Sequence, residues 1–258
     1  MENSTTSIGA HRQKSWPKRL AVVLSVLAAI LVAAVLAFLI YASDYYHALD
    51  SNEVYETSTT EVMVEHESNY LSFGPSAAEH ALLFYPGAKV EYLSYAPLMH
   101  EIAQDGYLCI VVEMPFNLAI LDVNAADSIM ARYPDVKNWW IGGHSLGGLS
   151  ASHYASQNAS KLDGLVLLGS YSIDDLSDTE LSVVSIYGSN DTILTYDMVV
   201  SGRELMPTQY KEQIIEGGNH AYFGNYGDQE GDGKANITPD EQWNMTADIV
   251  SDEMAKSY

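Results

Sequence analysis

The sequence predicts an α/β domain, with a mostly parallel central sheet and helices on both faces, preceded by one transmembrane helix. Short runs that are apolar throughout recur along the chain, and most are followed by a segment compatible with a helix. Strands that are apolar at every position are typical of a parallel sheet buried between two layers of helices. The second observation is a long apolar stretch near the N-terminus, which is separate from this alternating pattern.

The alternating pattern runs through residues 59–258, which we expect to form one domain. Its first two runs alternate between apolar and polar residues and are expected at the sheet edge, whereas the later runs are apolar. The predicted strands are 61–66, 70–73, 81–85, 107–112, 139–141, 164–168, 183–187 and 213–215. The predicted helices between them include 92–104, 125–133, 146–157 and 196–205.

The apolar stretch covers residues 20–41 and contains no charge. A helix of that length is about 33 Å long, enough to cross the hydrocarbon layer. Four basic residues lie in the preceding segment 1–19, which the positive-inside rule places in the cytoplasm, with the rest of the chain outside. We expect a polar stalk at 42–58. The alternative is a signal peptide cleaved near Ala42, although the apolar core of a signal usually has about 7 to 15 residues.

Charge and cysteine content exclude several classes of protein. The chain carries 12 basic and 34 acidic residues, a net charge of −22, and a general nucleic-acid binder needs the opposite sign. The one cysteine, Cys109, allows neither an internal disulfide nor a structural zinc cluster and is expected to fill a buried strand. We expect no cofactor and no metal, and the sequence does not indicate an oligomeric state.

The candidate nucleophile is Ser145. It lies in the motif Gly-x-Ser-x-Gly, between a predicted strand and a predicted helix. A serine at such a turn is held in a strained conformation, and Gly143 and Gly147 let strand and helix approach without Cβ clashes. The start of the helix also directs amide dipoles toward an oxyanion. This context favours a catalytic serine over an ordinary serine in a glycine-rich turn.

A serine nucleophile needs a base and an acid that orients the base. In an architecture with the serine at a strand–helix turn, the acid follows a late strand and the histidine follows the last one. Asp191 lies directly after the run 183–187, and His220 follows the run 213–215. The alternative role of Asp191 is to cap a turn, in which case Asp197 is the candidate acid.

Two backbone amides are expected to bind the oxyanion. One is Leu146 N–H, directly after the nucleophile, and the other should come from the loop after the run 81–85, where Ala88 is the first choice and Gly87 the second. Candidates for the substrate pocket follow the run 107–112. They are Met114, Phe116 and Asn117.

Four motifs together make residues 80–224 resemble the α/β hydrolase superfamily, particularly its small dienelactone-hydrolase-like and carboxylesterase-like members. They are YPGA at 85–88, GGHSLGG at 142–148, GSND at 188–191 and GGNH at 217–220. Many relatives carry a cap domain between the sixth and seventh strands, but only residues 170–182 are available here. The resemblance therefore implies an open site without a cap. Dienelactone hydrolases commonly use a cysteine nucleophile, so that activity is not implied for a chain with Ser145.

The acidic segment 228–241 partly matches a calcium-binding EF-hand loop, but its spacing fails after Gly233. We expect an acidic loop that leads into a terminal helix, with Thr238 as N-cap and Pro239 in the first turn. A calcium site of another type, bracing the loop that carries His220, is the alternative.

Taken together, these features predict a membrane-anchored, extracytoplasmic serine hydrolase. It would cleave small ester-type substrates through an acyl-enzyme formed on Ser145. The alternative is a non-catalytic receptor or scaffold that retains the fold, because a fold does not guarantee an activity.

Overall fold

The computed structural model describes residues 18–256, in which eight strands and six α-helices alternate over most of the chain. The strands are β1 (Val64–His66), β2 (Tyr70–Phe73), β3 (His80–Tyr85), β4 (Leu108–Val112), β5 (Asn138–His144), β6 (Gly164–Leu168), β7 (Ser182–Gly188) and β8 (Tyr210–Ile215). The helices are α1 (Lys18–Ser43), α2 (Ala96–Ala103), α3 (Ala125–Met130), α4 (Leu146–Asn158), α5 (Tyr196–Arg203) and α6 (Pro239–Ala255).

All eight strands form one sheet in the order β1-β2-β4-β3-β5-β6-β7-β8. The pairs β1–β2 and β2–β4 are antiparallel, and every other pair is parallel. The loops that follow the parallel strands therefore meet at one edge of the sheet, where α/β proteins bind their ligands. The segment 169–181 between β6 and β7 contains neither helix nor strand, so no separate domain is inserted where a cap would lie.

The core lies on both faces of the sheet, as the continuous apolar runs predict. Leu82 and Phe84 of β3 belong to one buried layer, whereas Leu83 and Tyr85 belong to the other. Cys109 in β4 is fully buried, and burial raises the pKa of its thiol. It therefore packs as a small apolar residue.

The chain divides after Asp44 into two compact units. In the first, α1 contains a segment, Leu20–Ser43, that is long and apolar enough to cross a membrane, and it includes the predicted span 20–41. A signal sequence has the same properties. The predicted cytoplasmic tail, residues 1–19, lies outside the described residues except for its last two positions.

The predicted stalk at 42–58 is wrong from residue 45 onward, because these residues belong to the second compact unit. Tyr46 forms an isolated parallel bridge with Val90. Asn52 is 1% exposed, and its side chain donates to the Leu93 carbonyl (3.0 Å) and accepts from the Asn225 amide (2.6 Å). The polar composition of this segment predicted a solvated chain, but the buried side-chain amide of Asn52 has both a donor and an acceptor partner inside the domain.

Candidate active site

Ser145 occupies a sharp turn between β5 and α4, with φ 53° and ψ −122°. Positive φ is unfavourable for a residue with a side chain, so this conformation is strained, as the motif predicts. A Cβ atom on Gly143 would lie 2.4 Å from the carbonyl carbon of Gly147, and one on Gly147 would lie 2.2 Å from the Tyr85 carbonyl oxygen. Only glycine fits at either position, which explains why the motif requires both.

The structure brings His220 and Asp191 together after β8 and β7. His220 Nδ1 lies 2.8 Å from Asp191 Oδ2, and the two side chains are 1% and 0% exposed. The other carboxylate oxygen, Oδ1, accepts from the backbone amides of Ile193 (2.9 Å) and Leu194 (2.8 Å). Each oxygen of Asp191 therefore has a separate task, one holding the imidazole and the other fixing the carboxylate to its own loop.

Ser145 and His220 line the same cavity, which has a volume of about 260 Å³. His220 Nε2, the ring nitrogen that does not face Asp191, is buried and has no hydrogen-bond partner in residues 18–256. In contrast, Asp197 lies exposed in the first turn of α5 and does not take the position of the acid.

The predicted oxyanion donors differ in their surroundings. Leu146 N–H stands at the first position of α4, where a helix has no internal acceptor for it. Gly87 N–H, the second choice after Ala88, donates to the Tyr95 hydroxyl (2.9 Å). Gly87 N–H is thus already bound by a side chain, and Ala88 remains the first choice from this loop.

The residues predicted to form the substrate pocket do not line the cavity at Ser145. Met114 is buried in the core at 3% exposure, whereas Phe116 and Asn117 both adopt positive φ. None of the three is among the residues that line the cavity at Ser145 or the groove beside it. The Asn117 carbonyl accepts from Lys89 N (2.8 Å), so this loop supports the backbone that follows Gly87 and Ala88.

Two residues at the site were not predicted from the sequence. Tyr95 Oη, which accepts from Gly87 N–H, also lies 2.8 Å from His144 Nδ1. The His144 ring packs against the His220 ring, with 4.5 Å between their centroids. Burial, followed by the nearby His220, lowers the pKa of His144 well below its usual value, so this imidazole stays neutral.

The acidic loop 228–237 connects the acid and the base. Asp232 Oδ2 accepts from the backbone amide of Ala221, directly after His220 (2.9 Å). Its Oδ1 accepts from the amides of Gly233 (2.7 Å) and of Thr192, directly after Asp191 (3.4 Å). One carboxylate therefore ties together the two loops that carry the proposed acid and base.

The predicted start of the terminal helix is confirmed. Thr238 and Glu241 form a capping box at the start of α6, with Pro239 in the first turn. Within residues 18–256, no group of three or more histidine, cysteine, aspartate or glutamate side chains is arranged to hold a metal ion. The acidic loop is also held through its carbonyls, which accept from the side chains of Asn190 (2.9 Å), Thr192 (2.8 Å) and Asn219 (2.9 Å).

Residues 81–244 match the Alpha/beta hydrolase family, and because this is more than half of the chain, the protein belongs to that family. The predicted family and fold are confirmed. No curated protein matches the chain in sequence.

Solved structures from three organisms illustrate the same fold. A dienelactone hydrolase from Anabaena variabilis is 14% identical, with a TM-score of 0.59 over 76% of this chain and 98% of that one. A predicted CIB-like hydrolase from Thermoplasma acidophilum is 13% identical, with a TM-score of 0.56 over 74% and 99%. TT1662 from Thermus thermophilus is 13% identical, with a TM-score of 0.54 over 75% and 98%. At these identities the likeness establishes the fold alone.

Proposed function

We propose that the protein is a serine hydrolase that cleaves ester-type substrates through an acyl-enzyme intermediate. The observation that carries this proposal is the buried His220–Asp191 pair at the cavity that contains the strained Ser145. A buried imidazole that is oriented by a carboxylate and keeps its other nitrogen unpartnered can take a proton from a serine hydroxyl.

The reaction follows from the positions of these groups. Ser145 Oγ attacks the carbonyl carbon of the ester while His220 Nε2 accepts the hydroxyl proton, and the amides of Leu146 and Ala88 hold the oxyanion. His220 then gives the proton to the leaving alcohol. Water then gives a proton to the same nitrogen and attacks the acyl-enzyme, and His220 returns that proton to Ser145 Oγ as the acid leaves. Asp191 keeps the His220 proton on Nδ1, the tautomer that both steps need.

Labelling with a fluorophosphonate probe tests this function. The full chain should be labelled covalently, and Ser145→Ala should not, because the probe reacts with an activated serine. Ser156→Ala is the matched control, since Ser156 is a half-buried serine on the same helix, α4, and does not line the cavity at Ser145. A wild-type chain that is folded but not labelled would instead indicate a non-catalytic receptor or scaffold.

We also propose that α1 anchors the enzyme in the membrane with the hydrolase domain outside the cytoplasm. The support is the apolar segment Leu20–Ser43 and the basic residues that precede it. Beyond residue 43 the chain carries 8 basic and 33 acidic residues, which favours neutral or cationic substrates over polyanions. An anchored chain keeps its full mass in the membrane fraction and is cut by protease added to intact cells. A shorter, soluble product would indicate a cleaved signal.

A further inference from the structure

An apolar groove adjoins the cavity at Ser145. Its volume is about 470 Å³, within the roughly 300 to 1,000 Å³ that is typical of small-molecule sites. Leu146 and Leu149 of α4 line both the cavity and the groove, so the two adjoin beside the nucleophile. Ile120, Val123 and Ile173 complete the apolar lining.

The groove presents apolar surface to solvent. Ile173 is 70% exposed and Ile120 is 60% exposed, in a domain whose surface is otherwise strongly acidic. Isolated exposed isoleucines are ordinary, but these two lie in one concave, continuous lining next to the candidate nucleophile. Such a surface gains free energy when an apolar group covers it.

The polar side chains that also line the groove already have partners. Ser150 Oγ donates to the Leu146 carbonyl (2.9 Å), and His153 Nδ1 lies 3.1 Å from Asp174 Oδ1. A polar ligand would have to compete with these contacts, whereas a hydrocarbon chain needs none. The groove therefore fits an apolar chain better than a sugar or a peptide.

The position of His220 decides which part of the ester lies in the groove. His220 lines the cavity at Ser145 but not the groove. The leaving alcohol must lie beside His220, because it takes its proton from that residue. The acyl chain then extends away from His220, along Leu146 and Leu149. On the basis of the proposed serine-hydrolase function, we propose that this groove binds the acyl chain and that the substrates are esters of apolar, alkyl-chain acids.

The test is a series of para-nitrophenyl esters from acetate to octanoate, with the full chain in lipid nanodiscs, because a detergent would itself occupy an apolar groove. We expect kcat/KM to rise about twofold to fourfold for each added methylene until the groove is filled. The double variant Ile120→Asn/Ile173→Asn should lose at least about tenfold of kcat/KM for octanoate. Its kcat/KM for acetate should stay within about twofold of the wild type, because acetate does not reach the groove.

Ile214→Asn is the matched control, since Ile214 is 51% exposed on β8 and lines neither the cavity nor the groove. It should leave the octanoate-to-acetate ratio unchanged. The acyl groove is overturned if the wild-type kcat/KM does not depend on acyl length. It is also overturned if the double variant loses kcat/KM equally for the acetate and the octanoate ester. In a series of alkyl acetates only the alcohol side of the ester is lengthened. If Ile173→Asn lowers kcat/KM for the longer members of that series, the acyl assignment is overturned.

The labelling result keeps this proposal distinct from the proposed function. If Ser145 is labelled and acetate is hydrolysed without any effect of acyl length, only the acyl groove is wrong. If the folded chain is not labelled and hydrolyses neither ester, the serine-hydrolase function fails, and the groove assignment fails with it.

Discussion

Replacing Asp191 by asparagine separates the charge and orientation of this residue from its size. Oδ1 of Asp191 accepts from two backbone amides, so the asparagine oxygen must take that position. The side-chain NH₂ group then takes the position of Oδ2, which in the wild type lies 2.8 Å from His220 Nδ1. Because an amide NH₂ can only donate there, Nδ1 must become the acceptor and the imidazole proton moves to Nε2.

The wrong tautomer cannot take a proton from Ser145, since Nε2, the nitrogen that we propose as the acceptor, already carries one. The loss of a correctly oriented imidazole in a Ser-His-Asp triad costs about 10⁴ in kcat, which corresponds to about 5.4 kcal/mol of activation free energy. Both side chains are at most 1% exposed, so solvent cannot substitute for the lost contact. We therefore expect the full reduction in Asp191→Asn, with little change in the melting temperature.

The assay is the hydrolysis of para-nitrophenyl acetate, together with the rate of fluorophosphonate labelling, in wild type, Asp191→Asn and Asp197→Asn. The last variant makes the same chemical change at an exposed position and should keep wild-type activity. If Asp191→Asn retains more than about a tenth of the wild-type kcat, the orientation argument is wrong. If Asp197→Asn is instead the inactive variant, the acid is Asp197.

Three further predictions concern the frame of the site. Asp232→Ala should lower the free energy of unfolding by about 2 to 4 kcal/mol in urea titrations and slow labelling, because it removes the carboxylate that ties the two loops; unchanged values would refute that role. Below about pH 6.5, the free energy of unfolding should fall by up to about 1.4 kcal/mol per pH unit because of His144. The folded state keeps this imidazole neutral, whereas the unfolded chain binds the proton. His144→Gln should make the free energy of unfolding, measured by urea titration at several pH values, depend less on pH. An equally steep pH dependence in this variant would contradict the role of His144. Gly147→Ala should lower the melting temperature by about 5 to 10 °C, because its Cβ would meet the Tyr85 carbonyl, whereas Gly202→Ala has room in α5 and serves as the control.

The sequence predicted the features that depend on local pattern. The continuous apolar runs indicated a sheet buried on both faces, and the observed layers on either side of β3 follow from that pattern. The turn at Ser145 was predictable because only glycine tolerates the approach at Gly143 and Gly147. Asp191 and His220 were predictable because each follows a recognisable strand in a parallel sheet, whose loops share one edge.

The residues that were missed act through contacts that no local pattern encodes. Asp232 follows Asp191 by about forty positions and reaches its loop through a backbone amide. Tyr95 is an aromatic residue in a helical stretch, and a core position explains it equally well until its hydroxyl is seen against Gly87 and His144. Asn52 was predicted to lie in a solvated stalk because polar segments are usually exposed to solvent. Its side-chain amide instead forms hydrogen bonds with Leu93 and Asn225 inside the domain. Such roles depend on pairs of distant residues.

The backbone strain of the described residues is concentrated where the chemistry is proposed. The non-glycine residues with positive φ are Lys89, Phe116, Asn117 and Ser145. They lie in the loops that follow β3, β4 and β5, three neighbouring strands of the sheet. Each such residue costs on the order of 1 to 3 kcal/mol, and that cost persists only where surrounding contacts hold the conformation.

Those contacts run between the same loops. Lys89 N donates to the Asn117 carbonyl (2.8 Å), so two of the strained residues hold each other. Ser145 N donates to the Leu168 carbonyl at the end of β6 (3.0 Å), and Gly87 N–H is held by Tyr95 (2.9 Å). The amides beside the nucleophile are therefore oriented by the fold before a substrate binds. Pre-oriented amides stabilise a developing oxyanion without a reorganisation cost, which is why strain at these loops is consistent with catalysis rather than with a surface that only binds.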